Sequence, residues 1–291
     1  MVALVLAKPY RAAMQRIPFI KMHGLGNDFV LIDRRDQALE IDADLVMRIA
    51  DRHRGVGFDQ LVILDSCPEA DARISFFNSD GSLAGACGNG TRCAARYLMD
   101  RAALERVSLA SGSGTLQATR LADGRIEVVM PEPRLTWRDI PLAQPCDTLN
   151  VPLRLFGLDQ PVAVSMGNPH AVFFVEDLDA LDIEEIGPTL ERHPMFPERA
   201  NIGFVQIVGE AALRLRVFER GAGLTLACGS GACAAVVAAI RRERVQSPCR
   251  VLLDGGELSI AWNGAGPVLM TGPTAYSFEG VIADEMRHAD L

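Results

Sequence analysis

Residues 86–90 read ACGNG, and residues 227–231 read ACGSG. Each copy precedes a run of small residues that predicts a helix. The sequence therefore predicts that Cys87 and Cys228 each lie on a glycine turn where a helix begins. The free N–H groups and partial positive charge of a helix N-terminus can hold a carboxylate. They can also lower the pKa of a neighbouring thiol.

The two cysteines belong to a longer repeat. Their separation is 141 residues, and the same offset relates other positions. The further pairs are Asn27 with Asn168, Phe29 with His170, Gln60 with Asn201, and Asn78 with Glu219. Chance alignment of glycine-rich segments does not explain five ungapped correspondences. A single repeat of this length predicts two copies of one domain, because solenoid repeats are much shorter.

The composition is typical of a globular protein of about two domains. The chain has 291 residues, of which 49% are hydrophobic and 23% are charged, and its net charge of −8 argues against nucleic acid as a partner. No apolar run is long enough to cross a bilayer, which argues against a membrane partner. Residues 1–16 are predicted to be a loose extension without the order of a signal peptide. Seven cysteines, an odd number, favour a reducing cytoplasm.

Short β-like segments separated by turn signals dominate the sequence, and helices are few. Besides the two helices after the cysteines, helices are predicted over 42–53 and 182–192. The helix after Cys228 is apolar on every face and should be buried. We therefore expect an α+β fold of two pseudo-symmetric domains, each a curved, mostly antiparallel sheet wrapped around a central helix. The active site is expected in the cleft between them.

The proline-rich segment 131–133 is the predicted hinge between the domains. Residues 17–133 then form the first domain and residues 134–274 the second. The repeat leaves 275–291 as a remainder, which we expect to pack back onto the first domain.

With these segments the chain resembles the diaminopimelate epimerases, amino-acid epimerases that work without pyridoxal phosphate. The matching segments, which extend over nearly the whole chain, are 22–29, 76–82, 86–93, 167–170, 201–203 and 219–233. The resemblance implies interconversion of LL- and meso-2,6-diaminopimelate, a step in lysine and peptidoglycan precursor biosynthesis. It also implies that no cofactor or metal is needed and that the enzyme is a cytoplasmic homodimer.

The resemblance assigns the proton transfers to Cys87 and Cys228. One removes the α-proton as thiolate, the other delivers a proton as thiol to the opposite face, and the roles exchange with the configuration of the substrate. Inverting a carbon requires an acid and a base on opposite sides, which two half-sites supply. Donors at the substrate carboxylate stabilise the carbanion. The expected donors are the backbone N–H groups of Gly88, Asn89, Gly229 and Ser230.

The resemblance also implies side-chain contacts to the substrate. The predicted contacts are Asn27, Gln60, Asn78, Asn168, Asn201, Glu219 and Arg220. Arg220 suits a distal carboxylate, Glu219 suits an ammonium group, and the amides can bind either. Isolated asparagines are commonly turn residues, so the pairing at the offset is what favours binding. His170 and Glu219 are expected to modulate the pKa of a catalytic thiol.

Two other functions remain open at this stage. A racemase of histidine or proline could use the same cysteines, although a proline-sized ligand would leave Asn78, Asn201 and Arg220 unpaired. A nucleotide-binding module would need a phosphate-loop motif, which the sequence lacks. Many family members have acidic residues near Leu83 and at Leu224; we interpret both leucines as packing or loop variation outside the substrate contacts.

The remaining cysteines are expected to be small buried hydrophobic residues. They are Cys67, Cys93, Cys146, Cys233 and Cys249. A zinc site that combined Cys93 and Cys233 with the catalytic cysteines would have atypical spacing. A disulfide between the catalytic cysteines is expected only as an oxidation product, because it would consume both catalytic groups.

Overall fold

The computed structural model describes residues 16–85, 87–112, 114–283 and 286. The described residues do not include Ala86 of the first cysteine motif. They also exclude the predicted extension apart from Arg16, and most of the segment after 283. The helices are α1 (Ala43–Ala50), α2 (Gly88–Ala102), α3 (Ile183–Glu191) and α4 (Gly229–Arg241). The strands are β1 (Ile17–Gly24), β2 (Asn27–Asp33), β3 (Gln60–Asp65), β4 (Ala72–Asn78), β5 (Leu83–Ala84), β6 (Arg106–Ser111), β7 (Gly114–Arg120), β8 (Ile126–Met130), β9 (Arg154–Leu155), β10 (Leu158–Asp159), β11 (Val162–Ser165), β12 (Pro169–Phe174), β13 (Asn201–Gly209), β14 (Ala212–Glu219), β15 (Gly223–Thr225), β16 (Cys249–Leu253), β17 (Gly256–Ala261), β18 (Val268–Gly272) and β19 (Ala275–Ile282).

The two halves of the chain repeat the same elements in the same order. Strands β1 to β8 with α1 and α2 correspond to β11 to β18 with α3 and α4. The strand register repeats as well. Phe29 pairs with Gln60 in the parallel pair β2–β3, and His170 pairs with Asn201 in the parallel pair β12–β13. Parallel pairing recurs in β4–β6 and β14–β16, whereas the other described strand pairs are antiparallel. The α+β prediction with two copies of one domain is confirmed.

Each cysteine helix is enclosed by the sheet of its own half. Every residue of α4 from Ala232 to Ala239 is buried, which confirms the prediction from its apolar faces. Buried residues of α2 and α4 belong to one hydrophobic core that includes strands of both halves. The buried stretch of α4 consists mostly of alanine and valine, which lets the strands of its half pack closely around it.

Helix α1 is shorter than the sequence predicts. Its first turn is capped by Asp42, whose carboxylate accepts the N–H of Leu45 at 2.8 Å. The helix ends at Ala50 because the Asp51 carboxylate accepts the N–H groups of His53 and Arg54, which stabilises a turn instead of another helical turn.

One strand at the end of the second half joins the sheet of the first half. β19, at the end of the second half, pairs antiparallel with β1 of the first half, and Arg134, at the start of the second half, forms a bridge with Ser165 of β11. β8 and β18 also pair directly, so the sheet is continuous between the halves. We propose domain boundaries of 17–133 and 134–274, with β19 assigned to the first domain.

The environment of the non-catalytic cysteines differs in part from the expectation. Cys93, Cys233 and Cys249 are buried, whereas Cys67 and Cys146 are only partly buried. These two lie in connecting segments outside the helices and strands, where side chains have fewer neighbours. Within the described part of the chain, no helix combines the length and hydrophobicity that a bilayer-spanning segment needs.

Because β19 pairs with β1, we predict that β19 contributes to the stability of the first half. Ile282 is 4% exposed and packs in one cluster with Ile17, while its neighbour Val281 is 51% exposed. Ile282→Ala should lower the free energy of unfolding by about 3 kcal/mol, because it removes a buried side chain and leaves a cavity. Val281→Ala, the matched control, should cost no more than about 0.5 kcal/mol. Urea unfolding measures both, and equal effects would contradict this role of β19.

Candidate active site

Cys87 and Cys228 line one cleft between the two halves. The cleft has a volume of about 1280 Å³. Each cysteine is the N-cap residue of its helix, with an extended backbone that turns into the first helical residue. The other predicted site residues on this wall are Asn27, Gln60, Asn78, Gly88, Asn89, Asn168, Glu219, Arg220, Gly229 and Ser230. Among the described residues, the wall does not include His170 or Asn201.

The two helix N-termini are in close contact. A Cβ on Gly229 would lie 3.4 Å from the Cα of Gly88, and a Cβ on Gly88 would lie 2.6 Å from Cε of Met270. Glycine at both positions leaves space for the end of the Met270 side chain beside the two helix ends, whose backbones lie at van der Waals distance from each other's added Cβ. Both positive helix ends border the same space, which suits the carboxylate of a ligand.

In the first half-site, Cys87 interacts with backbone and amide groups. Its Sγ accepts the N–H of Gly90 at 3.4 Å and lies 3.8 Å from Oδ1 of Asn27. Burial raises the pKa of Cys87 to about 12, and the negative charge of Glu219 adds to that effect. The expected lowering by the helix N-terminus acts through Gly90 but is outweighed. The cost of desolvating a thiolate exceeds the attraction of a few N–H groups.

In the second half-site, the thiol of Cys228 donates a hydrogen bond to a carboxylate. Its Sγ lies 3.1 Å from Oε2 of Glu219, whose Oε1 accepts the hydroxyl of Thr225 at 2.5 Å. Burial, followed by the charge of Glu219, raises the pKa of Cys228 well above its ordinary value. Burial also raises the pKa of Glu219. These surroundings favour the neutral thiol form of both cysteines.

Polar pairs repeat between the half-sites at the 141-residue offset. Nδ2 of Asn89 donates to Oδ1 of Asn27 at 3.2 Å, and Nδ2 of Asn168 donates to Oγ of Ser230 at 3.3 Å. Each pair joins the turn between the first two strands of the repeat to the helix N-terminus. The duplicated sequence thus produces a duplicated hydrogen bond, which positions each helix end against its neighbouring turn.

His170 lies behind the cleft wall. Nε2 of this buried imidazole is 3.0 Å from Oδ1 of Asn168, and burial, with a contribution from Arg220, lowers its pKa to about 3. The ring is therefore neutral. Its described path to Cys228 runs through Asn168 and Ser230, whose Oγ lies 3.7 Å from the cysteine Sγ. His170 thus reaches the thiol through other side chains.

Two predicted substrate contacts, Asn201 and Arg220, have different positions: Asn201 bonds to the backbone, and Arg220 lines the cleft. Asn201 is buried; its Nδ2 donates to the carbonyl of Pro169 and its Oδ1 accepts the N–H of Arg220, both at 3.0 Å. The amide thus supports the loop that presents Arg220. The guanidinium of Arg220 is exposed at the cleft and donates to the carbonyl of Glu198 at 3.0 Å.

The structure adds a charged cluster that the sequence analysis did not include. Asp28 accepts hydrogen bonds from Lys21 and Arg52, and Asp59 accepts one from Nδ2 of Asn27 at 2.8 Å. Burial alone would raise the pKa of Asp28, but Arg52 and Lys21 lower it to about 2. Asp28 belongs to the quoted motif 22–29, so that motif could have identified the cluster.

Leu224 corrects one sequence interpretation. We interpreted Leu83 and Leu224 as packing or loop variation outside the site. Leu224 packs against the core of the second half but also lines the cleft, because β15 passes along its rim. Leu83 is 72% exposed and is not on the described wall.

Gln60 and Asn78 form a hydrogen-bonded pair on the first-half wall, with Nε2 of Gln60 3.1 Å from Oδ1 of Asn78. They face each other across β3 and β4.

Among the described residues, no group of three or more His, Cys, Asp or Glu side chains is placed to hold a metal ion. The zinc alternative therefore has no support in the described geometry.

Comparison with known proteins identifies relatives by sequence. The profile of the diaminopimelate epimerase family matches residues 19–136 and again residues 162–277. A diaminopimelate epimerase of Acidiphilium cryptum is 51% identical over 263 residues, covering 90% of this chain and 95% of that protein. One from Rhodospirillum centenum is 47% identical over 275 residues, covering 94% of each.

Solved structures share the fold at much lower sequence identity. A phenazine biosynthesis protein of the PhzF family from Bacillus anthracis has a TM-score of 0.67 at 17% identity, covering 93% of this chain and 100% of that one. A hydroxyproline epimerase from Agrobacterium vitis has a TM-score of 0.66 at 15% identity, covering 92% of each chain. These likenesses show a common fold and nothing about the substrate.

The contact between Glu219 and Cys228 predicts a change in thiol reactivity. Glu219 disfavours the Cys228 thiolate by its charge and by accepting a hydrogen bond from the neutral thiol. Glu219→Gln removes the charge and should lower the pKa of Cys228, so alkylation of Cys228 by iodoacetamide at pH 8 should accelerate about tenfold or more. Peptide mass spectrometry measures the rate. Glu257→Gln, on an exposed hairpin strand, is the control, and an unchanged rate in Glu219→Gln would contradict the assignment.

Proposed function

The chain belongs to the diaminopimelate epimerase family, and from this premise we propose that Cys87 and Cys228 interconvert LL- and meso-2,6-diaminopimelate by a two-base transfer at the α-carbon. The reaction belongs to lysine and peptidoglycan precursor biosynthesis. The observation that carries the proposal is the placement of both thiols at paired helix N-termini on one cleft.

The reaction breaks one C–H bond and forms another on the opposite face. A thiolate takes the α-proton, so an S–H bond forms and the electron pair of the C–H bond spreads into the substrate carboxylate. The opposite thiol then gives its proton to the other face of the carbon and becomes a thiolate. The two cysteines have exchanged protonation states, which suits the reverse reaction. No group other than the two sulfurs needs to carry the transferred protons.

The carboxylate of the reacting centre fits between the helix ends. Its negative charge grows as the carbanion forms, so preorganised donors stabilise the transition state more than the ground state. We assign this role to the backbone N–H groups at the starts of α2 and α4. The donor residues are Gly88, Asn89, Gly229 and Ser230.

Substrate binding supplies a positive charge that favours the thiolate form of a buried cysteine. Burial disfavours both thiolates, and a nearby positive charge has the opposite effect. The ammonium group on the reacting carbon brings such a charge into the cleft. Thiolate formation is thereby coupled to binding of an amino acid, and Glu219, beside Cys228, is placed to contact that ammonium group.

The distal head of the substrate is recognised by polar groups on the wall. The exposed guanidinium of Arg220 fits a carboxylate through two parallel hydrogen bonds. Asn78 and Asn168 offer amides that bind either a carboxylate or an ammonium group. A proline-sized ligand would leave the exposed guanidinium of Arg220 without a ligand partner, which favours the two-headed substrate. Asn78 does not enter this comparison, since its amide bonds to Gln60 and Ser82. Asn201 no longer enters this comparison, since its amide already bonds to backbone groups.

We further propose a cytoplasmic homodimer. All seven cysteines are unpaired thiols, which suits a reducing compartment. In the described part of the chain, β19 pairs with β1 on one side only, so its other edge is open. The edge carries the exposed aromatic residues Tyr276 and Phe278, which a second copy of the chain could cover.

The two-base mechanism predicts isotope incorporation without an added cofactor. The enzyme incubated with LL-diaminopimelate in D2O should yield meso product carrying deuterium at the inverted α-carbon, observed by NMR. Cys87→Ser and Cys228→Ser should each lower the epimerisation rate by about 100-fold or more, because a serine hydroxyl is far harder to ionise than a thiol and is a weaker proton donor. Cys67→Ser, a partly buried cysteine in a connecting segment, is the control and should retain activity. Near-wild-type turnover in either catalytic variant would refute the mechanism.

Arg220→Ala tests recognition of the distal carboxylate. Losing a bidentate, charge-assisted contact should raise KM for diaminopimelate by about tenfold or more, with a smaller change in kcat. Steady-state kinetics measures both constants. Arg216→Ala, on β14 with its guanidinium bonded to Asp254, is the matched control. An unchanged KM would show that Arg220 does not bind the substrate.

A further inference from the structure

Arg92 is a fully buried cation without an anionic partner. It lies in α2 with 0% exposure. Its Nη2 donates to Oδ1 of Asn89 at 2.9 Å, and its Nη1 lies 3.4 Å from Sδ of Met270. Within the described residues, its Nε has no hydrogen-bond partner and its guanidinium forms no ion pair. Arg92 was not among the residues that the sequence analysis singled out.

The fold makes space for this side chain. A Cβ on Gly24 of β1 would lie 3.2 Å from Nη2 of Arg92, and a Cβ on Gly272 of β18 would lie 3.1 Å from its Nε. One strand from each half therefore approaches the guanidinium with bare backbone. Larger residues at these glycines would crowd the charged group or displace it.

Burying an unpaired cation destabilises a fold, because the charge loses its hydration and gains no compensating ion pair. The surroundings of Arg92 are soft sulfur groups instead of carboxylates. The titratable groups that act on it are the thiols of Cys87, Cys93 and Cys233. Of these three, the proposed mechanism ionises only Cys87. Arg92 bonds to Asn89, Asn89 bonds to Asn27, and Oδ1 of Asn27 lies 3.8 Å from Sγ of Cys87, so two side chains connect the buried charge to that sulfur.

Arg92 also determines how the Asn89 amide is oriented. A guanidinium only donates hydrogen bonds, so the amide oxygen of Asn89 must face it. Nδ2 of Asn89 is then directed to the carbonyl of Ala227 at 3.0 Å and to Oδ1 of Asn27 at 3.2 Å. Ala227 immediately precedes Cys228, and Asn27 lies beside Cys87. One amide thus links the two half-sites, and Arg92 holds it in place.

We propose that Arg92 is a positioning residue of the active site, which orients the Asn89 amide between the two half-sites and supplies the buried positive charge beside which the Cys87 thiolate forms. This inference rests on the proposed two-cysteine mechanism. It gives a functional reason for a buried charge that, without an ion pair, destabilises the folded protein.

Other charged groups near Cys87 do not replace this role. Glu219, from β14, acts against the thiolate. On the first-half wall, the cations Lys21 and Arg52 are already engaged by the carboxylates of Asp28 and Asp59. His23, on β1, accepts the N–H of Gly26 at its Nδ1. Arg92 is therefore the cation that favours the Cys87 thiolate from its own helix.

The test compares variants of the full-length protein that separate charge from shape. Arg92→Met removes the charge, Arg92→Gln removes the charge but keeps a donor for Asn89, and Arg92→Lys keeps the charge. Arg101→Met, an exposed arginine at the other end of α2, is the matched control. The rates of alkylation of Cys87 and Cys228 by iodoacetamide between pH 7 and pH 9 are measured by peptide mass spectrometry, together with kcat, KM and thermal unfolding.

In Arg92→Met and Arg92→Gln, alkylation of Cys87 at fixed pH should slow about tenfold, because the thiolate loses a nearby positive charge. Alkylation of Cys228 should change less, and kcat should fall more than KM rises. Thermal stability should stay the same or increase, since a buried charge has been removed. Arg92→Lys should retain most of the Cys87 reactivity, and Arg101→Met should resemble the unsubstituted protein.

Two results would overturn the proposal. One is a folded neutral variant whose Cys87 is alkylated at the original rate. The other is unfolding of both neutral variants, which would make Arg92 a structural residue. The alkylation assay needs no turnover of diaminopimelate. Its result for Arg92 can therefore be interpreted even if diaminopimelate proves not to be the substrate.

Discussion

The close approach of two helix N-termini is the constraint on which the rest of the structure depends. At Gly88 and Gly229, α2 and α4 meet almost backbone to backbone, and this contact brings Cys87 and Cys228 to one cleft. The meeting point also concentrates two positive helix ends on a small volume. The proposed inversion of a carbon needs opposed groups at hydrogen-bond reach, and the pseudo-symmetric placement of the two cysteines at helix N-termini on one cleft supports that proposal.

The same burial that excludes water makes the thiols hard to ionise. Desolvation raises the pKa of both cysteines above the range in which helix ends alone could compensate. The two half-sites meet this difficulty differently, because the repeat carries Asn78 in one copy and Glu219 in the other. A carboxylate contacts Cys228, whereas the Asn27 amide lies beside Cys87. Symmetry of the backbone therefore coexists with asymmetry of charge.

Strand pairing between the two halves fixes the relative position of α2 and α4. β19 completes the sheet of the first half, while Arg134 bridges to β11 in the second, and β8 pairs with β18 between them. The first half thus receives a strand from the end of the second half, and the pairing of β8 with β18 joins the two sheets. This arrangement ties the relative position of the two helices to many backbone hydrogen bonds, so the contact at the cleft rests on the whole sheet.

The sequence by itself determined the duplication, the α+β class, the two cysteine helices and a set of candidate site residues, most of which line the cleft. It could do so because a repeat at constant offset and local glycine turns are visible along the chain, as the paired motifs around Cys87 and Cys228 show. Only the tertiary structure decided that Asn201 supports backbone instead of facing the cleft, that Leu224 reaches the wall, and that burial outweighs the helix ends in setting thiol ionisation. Exposure and desolvation depend on what distant segments cover, and Arg92 shows this most clearly: nothing in its neighbours along the chain predicts that strands from both halves would enclose it.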